Sequence, residues 1–77
     1  MNKRHLVVVE WDDISSLNDW YNEKDINSQP IRCFTVGWVL KSDRKNLRIT
    51  STRSEHGKCS DVCTIPRGCI RSKRILE

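Results

Sequence analysis

The chain has 77 residues, of which 36% are hydrophobic and 31% are charged, and its formal net charge is +4. This length predicts one domain over residues 1–77 with a thin core, because so short a chain buries only about 60 to 65% of its unfolded surface. The sequence has no apolar run near the roughly 18 residues of a membrane span and no signal-peptide pattern. We therefore expect a cytoplasmic protein with reduced thiols and no membrane contact.

The charge is divided unequally along the chain. Residues 1–31 carry three Lys or Arg against six Asp or Glu, whereas residues 32–77 carry eleven against four. A basic half attracts phosphate backbones or an acidic protein surface, which favours a macromolecular partner. The alternatives are that both charged faces are only solvated, or that the two halves meet within or between chains.

The first predicted strand covers residues 6–11. Its alternation places Val7, Val9 and Trp11 on one face and the other apolar residues on the opposite face. A strand with apolar residues on both faces needs other parts of the protein, the following helix or a neighbouring subunit, to pack against both of them. The two aspartates that follow are expected to end it.

A short helix is predicted over residues 15–24. A serine with an aspartate three positions later forms an imperfect capping box, and Leu17, Trp20 and Tyr21 fall on one helical face. We expect this face to pack on the sheet. If either aromatic residue is exposed, it becomes an anchor for a partner protein.

A bent hairpin follows the helix. One face of its first strand carries four apolar side chains, namely Phe34, Val36, Trp38 and Leu40. We expect the rings of Phe34 and Trp38 to lie in the core, and Gly37 predicts a bend or a close backbone approach. A turn over residues 42–46 leads to a third strand with Leu47 and Ile49 facing inward.

The rest of the chain completes a sheet. Residues 51–60 predict an exposed connection, residues 61–65 a fourth strand, residues 66–68 a tight helical turn and residues 69–76 a last strand. The predicted fold class is mainly β with one short helix (α+β). We expect a small curled five-stranded antiparallel sheet or barrel.

Three motifs resemble a family of small proteins encoded by bacteriophages and prophages. They are Val7-Val8-Val9-Glu10-Trp11-Asp12-Asp13 followed by Trp20, Thr35-Val36-Gly37-Trp38-Val39-Leu40, and Ile65-Pro66-Arg67-Gly68-Cys69-Ile70. The order of elements is also similar to barrels of the Sm and Src-homology-3 types. The resemblance implies a phage protein acting in the host cytoplasm, and it carries no established activity. Near residue 55 the family often has an acidic stretch, whereas this chain has Arg53, His56 and Lys58.

The cysteines raise the question of a metal or a reaction centre. Cys59, Cys63 and Cys69, with His56 and Cys33, have the ligand types that zinc takes, but their spacing matches no standard zinc motif. Free cysteine is also common in cores, and a disulfide is the other alternative. Cys59 and His56 form a weak nucleophile and base pair, because nothing orients the imidazole. We expect no cofactor, no metal and no enzymatic activity.

These observations predict a non-enzymatic phage accessory protein that forms homo-oligomers and binds a host or phage protein, with inhibition as one mode of action. The expected binding residues are Trp20 and Tyr21 on the helix and the basic set Arg48, Arg53, Arg67, Arg71 and Arg74. The alternative is a small barrel that binds RNA or DNA through the basic C-terminal half.

Overall fold

The computed structural model describes residues 3–14, 20, 22–25 and 30–77. In these residues five strands form one open antiparallel sheet: β1 (Leu6–Asp13), β2 (Ile31–Ser42), β3 (Asn46–Arg53), β4 (Cys59–Pro66) and β5 (Ile70–Ile75). Their order across the sheet is β4-β3-β2-β1-β5, which makes β4 and β5 the edge strands. The mainly β prediction is confirmed. None of the helical segments among the described residues is long and apolar enough to cross a membrane.

The core is a small cluster of aliphatic side chains. It consists of Val7, Val9, Leu47, Ile49 and Ile65, all at most 1% exposed. β1, β3 and β4 contribute these residues, and the partly buried Trp11, Val39, Cys63, Cys69 and Ile70 pack around them. The inward positions predicted for β3 are therefore confirmed, and Val7 and Val9 share one face of β1 as predicted.

The core face of β2 differs from the prediction. Val7 lies opposite Gly37 and Val9 opposite Thr35, so the odd-numbered residues of β2 face the core. Phe34 lies on the opposite face and is 68% exposed, so its predicted place in the core is wrong. The side-chain period of a strand is two residues, and pairing with the buried face of β1 decides which set points inward. Trp11 Nε1 donates a hydrogen bond of 2.9 Å to Thr35 Oγ1, which satisfies this inward hydroxyl.

The close backbone approach predicted at Gly37 is confirmed. A Cβ atom at this position would lie 2.7 Å from the carbonyl oxygen of Thr50 on β3. Thr50 is itself fully buried, and its hydroxyl donates to the carbonyl oxygen of Ser60 on β4. The absence of a side chain at Gly37 thus allows β2 to lie against β3.

The turn between β2 and β3 is organised by one carboxylate. Asp43 Oδ1 accepts hydrogen bonds from the backbone N–H groups of Lys45, at 2.9 Å, and Asn46, at 2.7 Å. These bonds, that of Asn46 first, lower the pKa of Asp43 by stabilising its charged form. The turn is therefore most stable where this carboxyl is ionised, and it weakens as the pH falls through the lowered pKa.

The connection between β4 and β5 is a single 3₁₀ turn, Arg67–Cys69, one residue later than the predicted helical turn over residues 66–68. Arg67 N donates to the carbonyl oxygen of Lys45 at 2.8 Å, which joins this turn to the β2–β3 turn. In β4, Asp61 has a positive φ of 55°, an uncommon conformation for a residue with a side chain.

Two further boundaries differ from the prediction. Asp12 and Asp13 continue β1 because they pair with Arg32 and Ile31 of β2. The exposed connection after β3 is shorter than predicted and covers residues 54–58, because the flanking segments pair as strands.

The predicted helix over residues 15–24 falls largely outside the described residues. Trp20 and Asn22 are described, and they lie in neither a helix nor a strand. Glu23–Asp25 form a 3₁₀ turn. No helix of the predicted length is present in the described part of the chain.

Replacing Gly37 with alanine should destabilise the fold. The added methyl group would meet the Thr50 carbonyl oxygen, which belongs to the backbone and cannot move aside easily. We expect the free energy of unfolding to fall by about 1 to 3 kcal/mol, the usual range for overpacking. Urea denaturation followed by circular dichroism measures this change.

Gly68→Ala is the matched control, because a Cβ atom at Gly68 would have no atom within 4 Å. Its free energy of unfolding should rise, by at most about 0.5 to 1 kcal/mol. Equal urea midpoints for the two variants would contradict the close approach at Gly37.

Candidate binding surface on the outer face of the sheet

The face of the sheet opposite the core, here called the outer face, carries an exposed apolar patch. Val8 and Val36 lie directly opposite each other on β1 and β2, and Phe34 lies two residues before Val36 on the same face of β2. Phe34 is 68% and Val36 48% exposed. These three residues, Val8, Phe34 and Val36, are called the outer patch.

A shallow groove runs beside the outer patch toward β5. Its volume is about 260 Å³, and its walls are formed by Val8, Glu10, Phe34, Ser72 and Arg74. Arg74 lies opposite Val8, and Ser72 lies opposite Glu10, in the pairing of β5 with β1. The lining of the groove therefore combines two apolar side chains with one guanidinium, one carboxylate and one hydroxyl group.

Two ion pairs lie along the outer patch toward the far end of β1. Arg32 Nε is 3.2 Å from Glu10 Oε1, and Arg71 Nε is 2.8 Å from Asp12 Oδ1. The hydrogen bond to Asp12, together with the charges of Asp12 and Glu10, raises the pKa of Arg71. The border of the patch thus carries both signs of charge.

The two aromatic residues predicted on the helix have different outcomes. Trp20 is 99% exposed, so the expectation that it packs on the sheet is wrong. Tyr21 lies outside the described residues. An exposed indole is typical of an anchor at a protein contact, which is the alternative considered for this residue.

Four of the five residues in the predicted basic set have side-chain contacts within the chain. Arg48 Nε donates to Thr64 Oγ1 at 3.1 Å, and Arg53 lies with its guanidinium carbon 5.6 Å from the centre of the Trp38 ring. Arg67 Nε donates to the carbonyl oxygen of Asp43 at 3.0 Å, and its Nη2 donates to Ser42 Oγ. Arg71 pairs with Asp12. In this set, Arg74 is the residue that lines the groove beside the outer patch.

A second and larger cavity lies where β1 begins and β5 ends. Its volume is about 640 Å³, and its walls are Lys3, Arg4, His5, Leu6, Trp38, Arg53 and Glu77. This basic pocket combines three cationic side chains with one indole and one carboxylate. Apart from Arg53, sequence reasoning did not select these residues for binding.

The cysteines do not gather into a metal centre. Cys63 packs on the core opposite Ile49, whereas Cys59 is exposed at the start of β4. Burial, followed by the nearby Asp13 and Cys33, raises the pKa of the Cys63 thiol. No group of three or more His, Cys, Asp or Glu residues suited to a metal ion is found among the described residues. His56 lies beside Glu55, with Nε2 3.4 Å from Oε1, and both side chains are exposed.

Comparison with known proteins finds no matching family model, and neither a curated protein nor a solved structure matches the chain. The resemblance to phage-encoded proteins stays a prediction. The support for the candidate surfaces therefore comes from their geometry alone.

Arg67→Ala tests whether this predicted binding residue is a structural one. Loss of the bonds to Asp43 and Ser42 should lower the free energy of unfolding by about 1 kcal/mol. The control Arg44→Ala removes the same charge from an exposed position in the neighbouring turn and should change it by less than about 0.5 kcal/mol. Equal stability of the two variants in urea would contradict a structural role for Arg67.

Alkylation should distinguish the cysteines. At about pH 8, iodoacetamide should modify the exposed Cys59 several times faster than Cys63, because burial and a raised pKa keep the Cys63 thiol neutral and shielded. Peptide mass spectrometry over time measures both rates, and in urea they should converge. A faster reaction at Cys63 in the folded protein would contradict its place against the core.

Proposed function

We propose that this chain is a non-enzymatic binding module that self-associates through the outer patch. The observation that carries the proposal is the exposure of Phe34 beside Val36 and Val8 on one regular sheet face. Exposed aromatic and aliphatic side chains that lie together are typical of protein contact sites. The occupant that we propose for the patch is a second copy of the chain.

The charge pattern around the patch supports a second copy as its partner. A two-fold contact brings the same surface of each copy together, so a border of one sign would repel itself. Here Glu10 and Asp12 alternate with Arg32, Arg71 and Arg74. Because Glu10 and Asp12 are paired with Arg32 and Arg71 within each copy, the border does not present a single sign of charge to a second copy.

The energetics also favour covering this face. Full burial of a Phe or Val side chain contributes about 1.5 to 3 kcal/mol, and among the described residues five apolar side chains are fully buried in the core. Small domains commonly supplement a thin core through association. A second copy would bury Phe34 and Val36 and would extend the apolar interior across the contact.

The expected host or phage protein is a further partner in this proposal, with Trp20 as its anchor. The support is the 99% exposure of Trp20, which is far above what a core residue shows. The alternative of nucleic-acid binding by the basic C-terminal half has less support, because Arg67 and Arg71 are engaged within the chain.

The proposal includes a sheet that curls into a small barrel of the Sm or Src-homology-3 type. Only Arg67–Cys69 separate β4 from β5, although these strands lie at opposite edges of the sheet. Four strand spacings of a flat sheet amount to about 19 Å, whereas the four peptide steps from Pro66 to Ile70 reach at most about 14 Å. A strongly curled sheet satisfies this limit. Register shifts at Glu10/Trp11 and at Val39/Lys41 support such curling.

Phe34→Ser should dissociate the oligomer. The side chain is mostly exposed within one copy, so the variant should keep its circular dichroism spectrum while its contact with a second copy weakens. Light scattering coupled to size exclusion should give a mass well above 9.0 kDa for the unmodified protein and close to 9.0 kDa for the variant.

Ile31→Ser is the matched control. Ile31 is 64% exposed, nearly as much as Phe34, but it lies opposite Asp13 on the other face of the sheet. This variant should keep the mass of the unmodified oligomer. A monomeric unmodified protein, or equal dissociation of both variants, would overturn association through the outer patch.

A further inference from the structure

Backbone hydrogen bonds hold the chain segments beside the basic pocket in place. Leu6 N donates to the carbonyl oxygen of Glu77 at 3.0 Å, and Leu76 N donates to the carbonyl oxygen of Leu6 at 2.7 Å. On the other side, Val39 N donates to the carbonyl oxygen of His5 at 2.9 Å. The segment that carries Lys3 and Arg4 is thus fastened to β2 and β5 beside the pocket.

The guanidinium of Arg4 is held in place from one side. Its Nη1 donates to the carbonyl oxygens of Leu40, at 2.8 Å, and Val39, at 3.3 Å. A guanidinium has five N–H donors, so bonds from one nitrogen leave donors for a ligand. Arg4 and Lys3 together provide a site for an anion, and phosphate suits the forked geometry of arginine.

The opposite wall provides planar groups. Trp38 lies opposite Leu6 on β1, and the Arg53 guanidinium lies over its ring at 5.6 Å. Indole and guanidinium planes are the surfaces on which nucleobases stack. A planar ring can therefore lie against this wall while its phosphate reaches Lys3 and Arg4.

Glu77 limits which ligands suit the basic pocket. Its carboxylate accepts hydrogen bonds and repels a bare anion, so the pocket favours a ligand that carries donor groups besides its phosphate. Ribose hydroxyls and the amino groups of bases are such donors. The volume of about 640 Å³ lies within the range of about 300 to 1,000 Å³ that is usual for small-molecule sites.

We propose that the basic pocket binds a nucleoside phosphate, with the base against Trp38 and Arg53 and the phosphate on Lys3 and Arg4. The same chemistry is offered by a free nucleotide and by a unit of a single-stranded nucleic acid. The site is separate from the outer patch, since none of its lining residues belongs to that patch.

Calorimetric titration tests this proposal with three probes: adenosine monophosphate, a short oligoadenylate and inorganic phosphate. We expect at least one of the two adenylates to bind at least about ten times more tightly than inorganic phosphate, because stacking and donor groups add to the charge contact. Binding of both adenylates assigns the site to nucleotides in general, and binding of the oligoadenylate alone assigns it to single strands.

Arg53→Ala should weaken adenylate binding about tenfold, whereas Arg44→Ala, with the same loss of charge outside the pocket, should leave it nearly unchanged. Trp38→Leu should also weaken binding, and circular dichroism checks that this variant is folded. Phe34→Ser should bind adenylates normally, which separates this test from that of self-association. No adenylate binding, equal affinity for inorganic phosphate, or equal losses in the two arginine variants would overturn the proposal.

Discussion

The register between β1 and β2 determines which side chains of β2 reach the core. Val7 and Val9 are fully buried, and they lie opposite Gly37 and Thr35. The inward positions of β2 include Gly37, the hydrogen-bonded Thr35 and Val39, whereas Phe34, Val36 and Trp38 lie on the other face. A shift of β2 by one residue would turn Phe34 and Val36 toward the core and Thr35 and Gly37 away from it, so this pairing determines both the interior and the candidate binding surfaces.

Both candidate sites follow from this arrangement. Phe34 and Val36 form the outer patch with Val8, and Trp38, two positions further along β2, forms a wall of the basic pocket. One strand thus supplies the aromatic groups of two sites with different borders. Paired charges of both signs lie beside the outer patch, whereas three cations and one carboxylate line the pocket.

The sequence was sufficient to predict the strands but not the faces of β2. Alternation located the strands and the inward residues of β3, and Gly37 indicated a close approach because glycine in a strand has few other uses. Both faces of β2 are apolar, however, and periodicity alone cannot say which one is buried. Thr35 faces the core because its hydroxyl accepts a hydrogen bond from Trp11, a contact across 24 positions that the sequence pattern does not show.

The roles of the arginines were equally hard to predict. Arg67 and Arg71 belong to the same basic run as Arg74, yet contacts with Asp43 and Asp12, distant in sequence, give them structural partners. Lys3 and Arg4 lie in the acidic half of the chain, so the net charge of that half gave no reason to predict them as binding residues. Their position beside Trp38 depends on strand pairing across more than 30 residues, which composition does not reveal.

The edge strands influence how copies of the chain can meet. β5 contains Arg71, Lys73 and Arg74 within six residues, so two such edges brought side by side would repel each other. At the other edge, the left-handed backbone of Asp61 interrupts the regular row of donors and acceptors that an added strand would need. Fibre-like growth by strand addition is disfavoured at both borders, so the self-association that we propose takes place through the faces of the sheet.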